Sequence, residues 1–276
     1  MRFFLTRTRL PALIEQAWLP LGLFILWYVA SKSSTSFFFP PLSEILKMLW
    51  EGLKSGELFA QAYISLLNLM VGLTFATLLA VCLGILIGAN ERVRSAVWPL
   101  VNFIRSIPPV AIIPIVIVAF GAGPIPSIIL IAYACNWPIM LNVIDGIRGL
   151  SPSIRDACQA FRLPPRVYFT KVLLPASLPQ LMAGIRLALA VSLTIMMVTE
   201  FYAANKGLGF YINDASQRFA VAETWAGTFF VGIIGYLLSA GFLMIERRVL
   251  GWYFEIPRPR RRWLAPRRLT RTFLRT

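Results

Sequence analysis

The sequence predicts an all-α membrane protein with six transmembrane helices, and three observations predict it. Of the 276 residues 58% are hydrophobic and only 14% are charged, a balance far too apolar for an ordinary water-soluble domain. Residues 58–90 and 106–144 run for 33 and 39 residues without a charge, while a membrane-spanning helix needs only about 20. The basic residues cluster between the apolar blocks, ten of the 27 in the stretch after residue 246. Placed there, the formal charge of +15 reads as a positive-inside topology signal and not as a nucleic-acid surface.

Composition also removes whole classes of chemistry. The chain has no histidine, which excludes a histidine metal site or catalytic triad. It has no G-x-x-x-x-G-K-[ST] phosphate loop, so an ATPase serving it is expected on another chain. Cys82, Cys135 and Cys158 have neither zinc nor disulfide spacing and read as small apolar fillers.

Taken in order, the first span is expected from about Leu10 to Ala30. Its apolar stretch is short enough for a signal peptide, but Tyr28 before Ala30 makes a poor cleavage site, so the span is read as retained. Phe39-Pro40-Pro41 stops the chain. Leu42, Ile45, Leu46, Leu49 and Leu53 then recur at helical spacing, an amphipathic helix that either lies on the membrane surface or packs on the bundle. A second span follows from Leu58 to Asn90. Its Gly84 and Gly88 form a small-xxx-small pair that lets helices approach closely in lipid.

The 39-residue uncharged run would be about 58 Å long as one helix, nearly twice the hydrocarbon thickness. It must fold back, and Gly121 to Pro126 is the expected hairpin. This gives a third span over about 96–120 and a fourth over about 125–144. A fifth is expected over 178–201, a polar excursion over 203–223, and a sixth span over 225–245. With six spans, both chain ends share a face with Arg92, Arg94 and the stretch around residues 148–171. That face holds twenty basic residues against five on the other, which assigns it to the cytoplasm.

Residues 151–175 are the most charged interior stretch and form an elbow between spans. Ser151 can cap a helix, Pro152 suits its first position, and Ser153 with Asp156 has capping-box spacing. Pro164-Pro165 ends that helix near Phe161. A second short helix, about 165–173, is expected to stop before Pro175.

The same stretch carries a family pattern. Asp156-Ala157-Cys158 is followed by Arg162, then Val172, then Leu174-Pro175. This resembles the cytoplasmic loop of the permease subunits of bacterial ABC importers: E-A-A, three residues, G, nine residues, I, one residue, L-P. Residues 105–109, 119–123, 178–186, 207–210 and 246–252 are similar to segments of the nitrate, sulfonate and taurine branch, and the likeness covers roughly residues 10–255. The chain departs from the pattern with Asp for Glu at 156, Cys for Ala at 158, and Arg for Gly at 162.

The resemblance implies a type I ABC importer fold, with residues 1–255 as one permease domain and residues 256–276 as a basic cytoplasmic tail. It implies a bacterial inner-membrane location and a second permease subunit, expected to be an identical copy. It also implies two ATPases carrying ATP and magnesium, and an extracytoplasmic solute-binding protein. No cofactor, metal or covalent chemistry is expected on this chain, and membrane lipid rather than nucleic acid surrounds it. The solute is expected to be a small anion such as a sulfonate, taurine or nitrate, although relatives also import thiamine-precursor pyrimidines. A self-sufficient secondary transporter or channel is the competing reading. It should carry central carboxylates for coupling ions, whereas Asp145 and Glu200 both fall at span ends.

Two residue sets follow. For docking an ATPase, the elbow offers Asp156, Ala157, Cys158, Arg162 and Arg166, an apolar patch of Tyr168, Phe169 and Val172, and the terminal Pro175. For the pathway, Arg105 beside Pro108 and Pro109 is a cation at a broken helix, suited either to an anion or to snorkelling to the interface. Asn136, Thr194 and Thr199 are further polar candidates. Glu200 reads as a gate, a partner for a basic residue, or a solvated helix end. Arg186 reads as a snorkelling side chain, and residues 207–210 as an external turn.

Overall fold

The computed structural model of the chain describes residues 9–32, 34 and 36–254, and side chains from Trp18 to Tyr253 apart from Pro20. The basic residues at positions 2 and 7 and the 256–276 tail lie outside the described residues. Helix α1 covers Arg9–Ser31 and α2 Leu42–Lys54. Then come α3 (Glu57–Ala89), α4 (Glu91–Arg105), α5 (Pro109–Phe120) and α6 (Pro124–Arg148). The elbow helix α7 is Pro152–Ala160. A short α8 (Pro165–Val167) runs through a π-helical segment, Tyr168–Leu173, into α9 (Leu174–Ala203). The chain continues with α10 (Leu208–Gln217), α11 (Val221–Val249) and α12 (Gly251–Phe254). The described residues contain no strand.

Helix α6 is the axis of the bundle, packed against α3 on one side and α9 on the other. Its buried residues include Leu130, Ile131, Ile139, Met140 and Val143. Two helices that bury no charge gain little from water exclusion in lipid, so they must meet by shape. The expected Gly84–Gly88 pair does this. A Cβ on Gly84 would lie 2.7 Å from Val143 Cγ1, and one on Gly88 3.3 Å from the backbone of Ile144. Cys135 fills space in the same core, its thiol reaching the Ala188 carbonyl at 3.3 Å.

Four helices or continuous helical runs are long and apolar enough to cross a membrane: 57–89, 124–148, 165–203 and 221–249. Counted as one span, α4 and α5 together make a fifth, and it is broken. Helices α4 and α5 meet at 82°, so the expected single span over 96–120 is two pieces. The cause is Pro108-Pro109, which cannot continue the hydrogen-bond ladder. The Tyr133 hydroxyl of α6 meets the break, donating to Ile104 O (2.7 Å) and lying 3.3 Å from Ile107 O. The expected first span is α1, whose apolar part among the described residues, Leu21–Ser31, is shorter than a full crossing. Its Trp27 stacks on Phe229 and meets Trp225 edge-on, both on α11.

Two expectations about element ends are overturned. The second elbow helix does not stop before Pro175 but runs unbroken into the fifth span. In the π-helical turn the Leu174 N–H reaches back five residues to Phe169 O. This wider turn accommodates a proline that has no N–H to give. The polar excursion over 203–223 is also not a loop. It holds α10, with Leu208, Tyr211, Ile212 and Ala215 buried. Helix α2 resolves the open alternative about its amphipathic face: Leu42 and Ile45 are buried and the helix packs on α11 and α3.

If the α3–α6 contact is set by missing side chains, Gly84→Leu will destabilise the chain by about 1–3 kcal/mol through overpacking. Gly232→Ala, where a Cβ meets nothing within 4 Å, will stay within about 0.5 kcal/mol of wild type. Thermal unfolding in detergent compares the two.

Candidate functional site at the elbow and the bundle ends

Helix α7 is held at both ends by its own residues. The Ser151 hydroxyl accepts from the Ile154 N–H at 3.4 Å. This places Ile154, not an acid, three residues past the cap. The Ser153–Asp156 capping box is therefore absent, and Asp156 is exposed, in no ion pair among the described residues. At the other end the Leu163 N–H bonds Cys158 O (3.1 Å) and the Arg162 N–H bonds Gln159 O (2.9 Å). That is a Schellman cap, and it requires a left-handed residue at 162, where Arg162 has φ 48°. The glycine of the family pattern falls at this position because glycine adopts it without strain. Arg162 holds the same turn at a steric cost.

The elbow's exposed apolar surface is not where the sequence suggested. Tyr168, Phe169 and Val172 turn inward and pack on the bundle core. Pro175 is half-buried at the start of α9, and Arg166 is exposed. Ile154 (47% exposed), Ala157 and Phe161 (80% exposed) form the outward stripe of α7 instead. The inward side, with Cys158, faces a cavity of about 620 Å³ between the elbow and the ends of α3, α4 and α6. Beside it Glu91 accepts from Arg94 (3.1 Å) and from Arg148, tying α4 to α6.

The pathway candidates do not converge on one spot. Arg105 is exposed at the α4–α5 break, in no ion pair among the described residues, with Pro108 exposed and Pro109 half-buried beside it. Asn136 is buried in α6, and its Oδ1 has no partner among the described residues. Thr194 is exposed, while Thr199 is buried and returns its hydroxyl to Ile195 O at 2.7 Å. Arg186 is ion-paired with Glu246 of α11, a carboxylate only 5% exposed. Both residues lay in segments that carried the resemblance, but nothing in the sequence linked them across sixty positions.

Glu200 departs furthest from expectation. It is neither a solvated helix end nor paired with a cation, but fully buried. Its Oε2 accepts from the Ser65 hydroxyl (2.7 Å) and from the Gly209 N–H (2.9 Å). The Leu208 N–H donates to Ser65 Oγ (2.8 Å) and the Gly207 N–H to Gln61 Oε1 (2.7 Å). Three side chains from α3 and α9 thus take up the amide protons that the first turn of α10 cannot satisfy itself. Residues 207–210 are the start of that helix, not a free turn. Gly207 has φ 113°, and a Cβ there would lie 2.6 Å from the Glu200 carboxylate. Gly209 is as tight, 2.7 Å from Met197 O. The Gly-Leu-Gly sequence could have signalled such an approach; its buried partner could not be read locally.

The described residues form a multi-pass helical bundle interrupted by a capped helical elbow. The chain belongs to the family described as binding-protein-dependent transport system inner membrane component, whose pattern matches residues 80–250. It is 30% identical over 241 residues to the bicarbonate transport system permease protein CmpB of Synechococcus elongatus, covering 83% of this chain and 87% of the relative. It is 29% identical over 236 residues to the taurine transport system permease protein TauC of Escherichia coli K12, covering 83% and 86%. Its fold is that of the type I ABC importer permeases. The MetNI methionine ABC transporter, solved in inward-facing conformations, superposes with a TM-score of 0.59 at 21% identity, over 70% of this chain and 96% of that one.

Two outcomes follow from these caps. Glu200→Ala strips two donors of their buried acceptor and will cost about 1–3 kcal/mol. Glu200→Gln, whose amide oxygen can keep both bonds, will cost less. Arg162→Gly will raise stability by about 1 kcal/mol by removing a side chain from a left-handed site. Thermal unfolding of the purified chain measures all three.

Proposed function

We propose that this chain is the solute-conducting subunit of an ATP-driven importer for a small anion. The observation that carries the reading is the outward stripe of α7: an apolar ridge, fixed at both ends, which the described residues leave uncovered. Exposed Ile154, Ala157 and Phe161 suit a groove on an ATPase, with Asp156 and Arg166 at the margin for its charged residues. ATP and magnesium belong to that partner, and this chain performs no covalent chemistry.

The assembly is two identical copies of this chain, two ATPases on the elbow side and a solute-binding protein on the other. Arg92, Arg94, Arg148, Arg155 and Arg162 gather at the elbow end, which supports placing that end and both chain termini in the cytoplasm. Residues 1–255 act as one domain, with 256–276 as its basic extension. The names of the relatives support bicarbonate or a sulfonate such as taurine, and the resemblance adds nitrate. Arg105, a cation in no ion pair among the described residues, suits an anion at the broken span, and Asn136, Thr194, Thr199 and Glu200 are assigned to the path and its outer end. Closure of the ATPases biases the elbow, and with it the bundle, between two states.

Phe161→Asp and Ile154→Asp will abolish co-purification of an ATPase with the tagged chain and stop uptake of labelled taurine, nitrate and bicarbonate into vesicles. Arg105→Gln will keep the ATPase bound and lower anion uptake about tenfold, the loss of one charge-assisted contact. Retained ATPase binding in both Asp variants would sink the docking assignment. Unchanged uptake in Arg105→Gln would sink the pathway assignment alone.

A further inference from the structure

The elbow helix has a second face that docking does not use. Arg155, Cys158, Gln159 and Arg162 follow at i, i+3, i+4 and i+7, the spacing of one side of a helix. All four line the cavity of about 620 Å³ beneath the elbow. The opposite wall brings Glu91 and Arg148. Glu91 is already committed to Arg94 and Arg148. Arg155 and Arg162 form no ion pair among the described residues. The cavity therefore carries two guanidiniums outside any ion pair among the described residues, facing a single carboxylate already shared by two other arginines, on a helix whose place is fixed by its caps.

Nothing in the α7 fold asks for an arginine at 162. The turn is left-handed there and glycine satisfies it freely, yet the chain keeps a long cation with its side chain at the cavity wall. Guanidinium forks match tetrahedral oxyanions in a bidentate way, and the volume accepts one with its hydration. The geometry points to an oxyanion site between the elbow and the bundle, where a phosphate or sulfate group is held by Arg155 and Arg162 from α7 and by Arg148 from α6. The group is either a free ion or the headgroup of an anionic lipid at the membrane surface. Once filled, the site ties the elbow to the end of α6 and resists its displacement. It lies apart from the solute path, and binding is read on this chain alone, so the site stands or falls independently of the import reading.

The test uses the full chain in nanodiscs of phosphatidylcholine, titrated with inorganic phosphate against chloride at constant ionic strength. A parallel set of discs contains phosphatidylglycerol. A saturable rise in the unfolding midpoint with phosphate in neutral discs identifies a free ion. A rise with phosphatidylglycerol but not with phosphate identifies a headgroup. In either case Arg155→Gln will weaken the response about tenfold, the loss of one charge-assisted contact, and Arg155→Gln with Arg162→Gly will abolish it. Arg162→Gly alone separates binding from folding, since its intrinsic midpoint rises while its phosphate response falls. No response in either disc, or an undiminished response in the double variant, overturns the site.

Discussion

The constraint on which this structure rests is the absence of side chains where α3 and α9 meet α6. In water a helix bundle is held by the apolar area it removes from solvent, but in lipid that term nearly vanishes between helices. What remains is close contact, and Gly84, Gly88 and Gly184 set it. A Cβ on Gly184 would fall 3.0 Å from the backbone of Ile139. With α6 gripped from both sides, α4 and α5 are free to break over Tyr133 and α10 to fold back over the outer end.

The sequence made some of this legible and hid the rest for a consistent reason. The four long spans, the hairpin at Gly121–Pro126, the small-residue pair on α3 and the Ser151 cap are local features, readable from spacing and residue type. The Glu200 cluster is not local. Its members come from positions 61, 65, 200 and 207–209, and only the folded chain brings α3 beside α9. Arg186 and Glu246 were hidden in the same way. The elbow misled for another reason. Tyr168, Phe169 and Val172 are apolar and close to the docking motif, but the π-helical turn rotates them onto the core. Helical phase is set by hydrogen bonds that the residue types do not reveal.

The departure at Arg162 becomes readable once its turn is known. The family glycine is a conformational requirement of a Schellman cap, so an arginine there keeps the geometry while adding charge. The substitution therefore leaves the shape of the elbow intact and changes only what its inner side can attract. Asp156 and Cys158 are milder departures: one is exposed, and the other sits half-buried at the cavity rim.

The unbroken run from Pro165 to Ala203 has a mechanical meaning. At 1.5 Å per residue, its 39 residues make a strut of about 58 Å. The strut starts a few residues past α7 and ends at the carboxylate that seats α10. The π-helical turn near one end, followed by Pro179 inside α9, is where this rod can bend. Torque applied beneath the bundle is thus either absorbed in that stretch or delivered to the far rim. The compliance of the stretch sets how much of each stroke arrives.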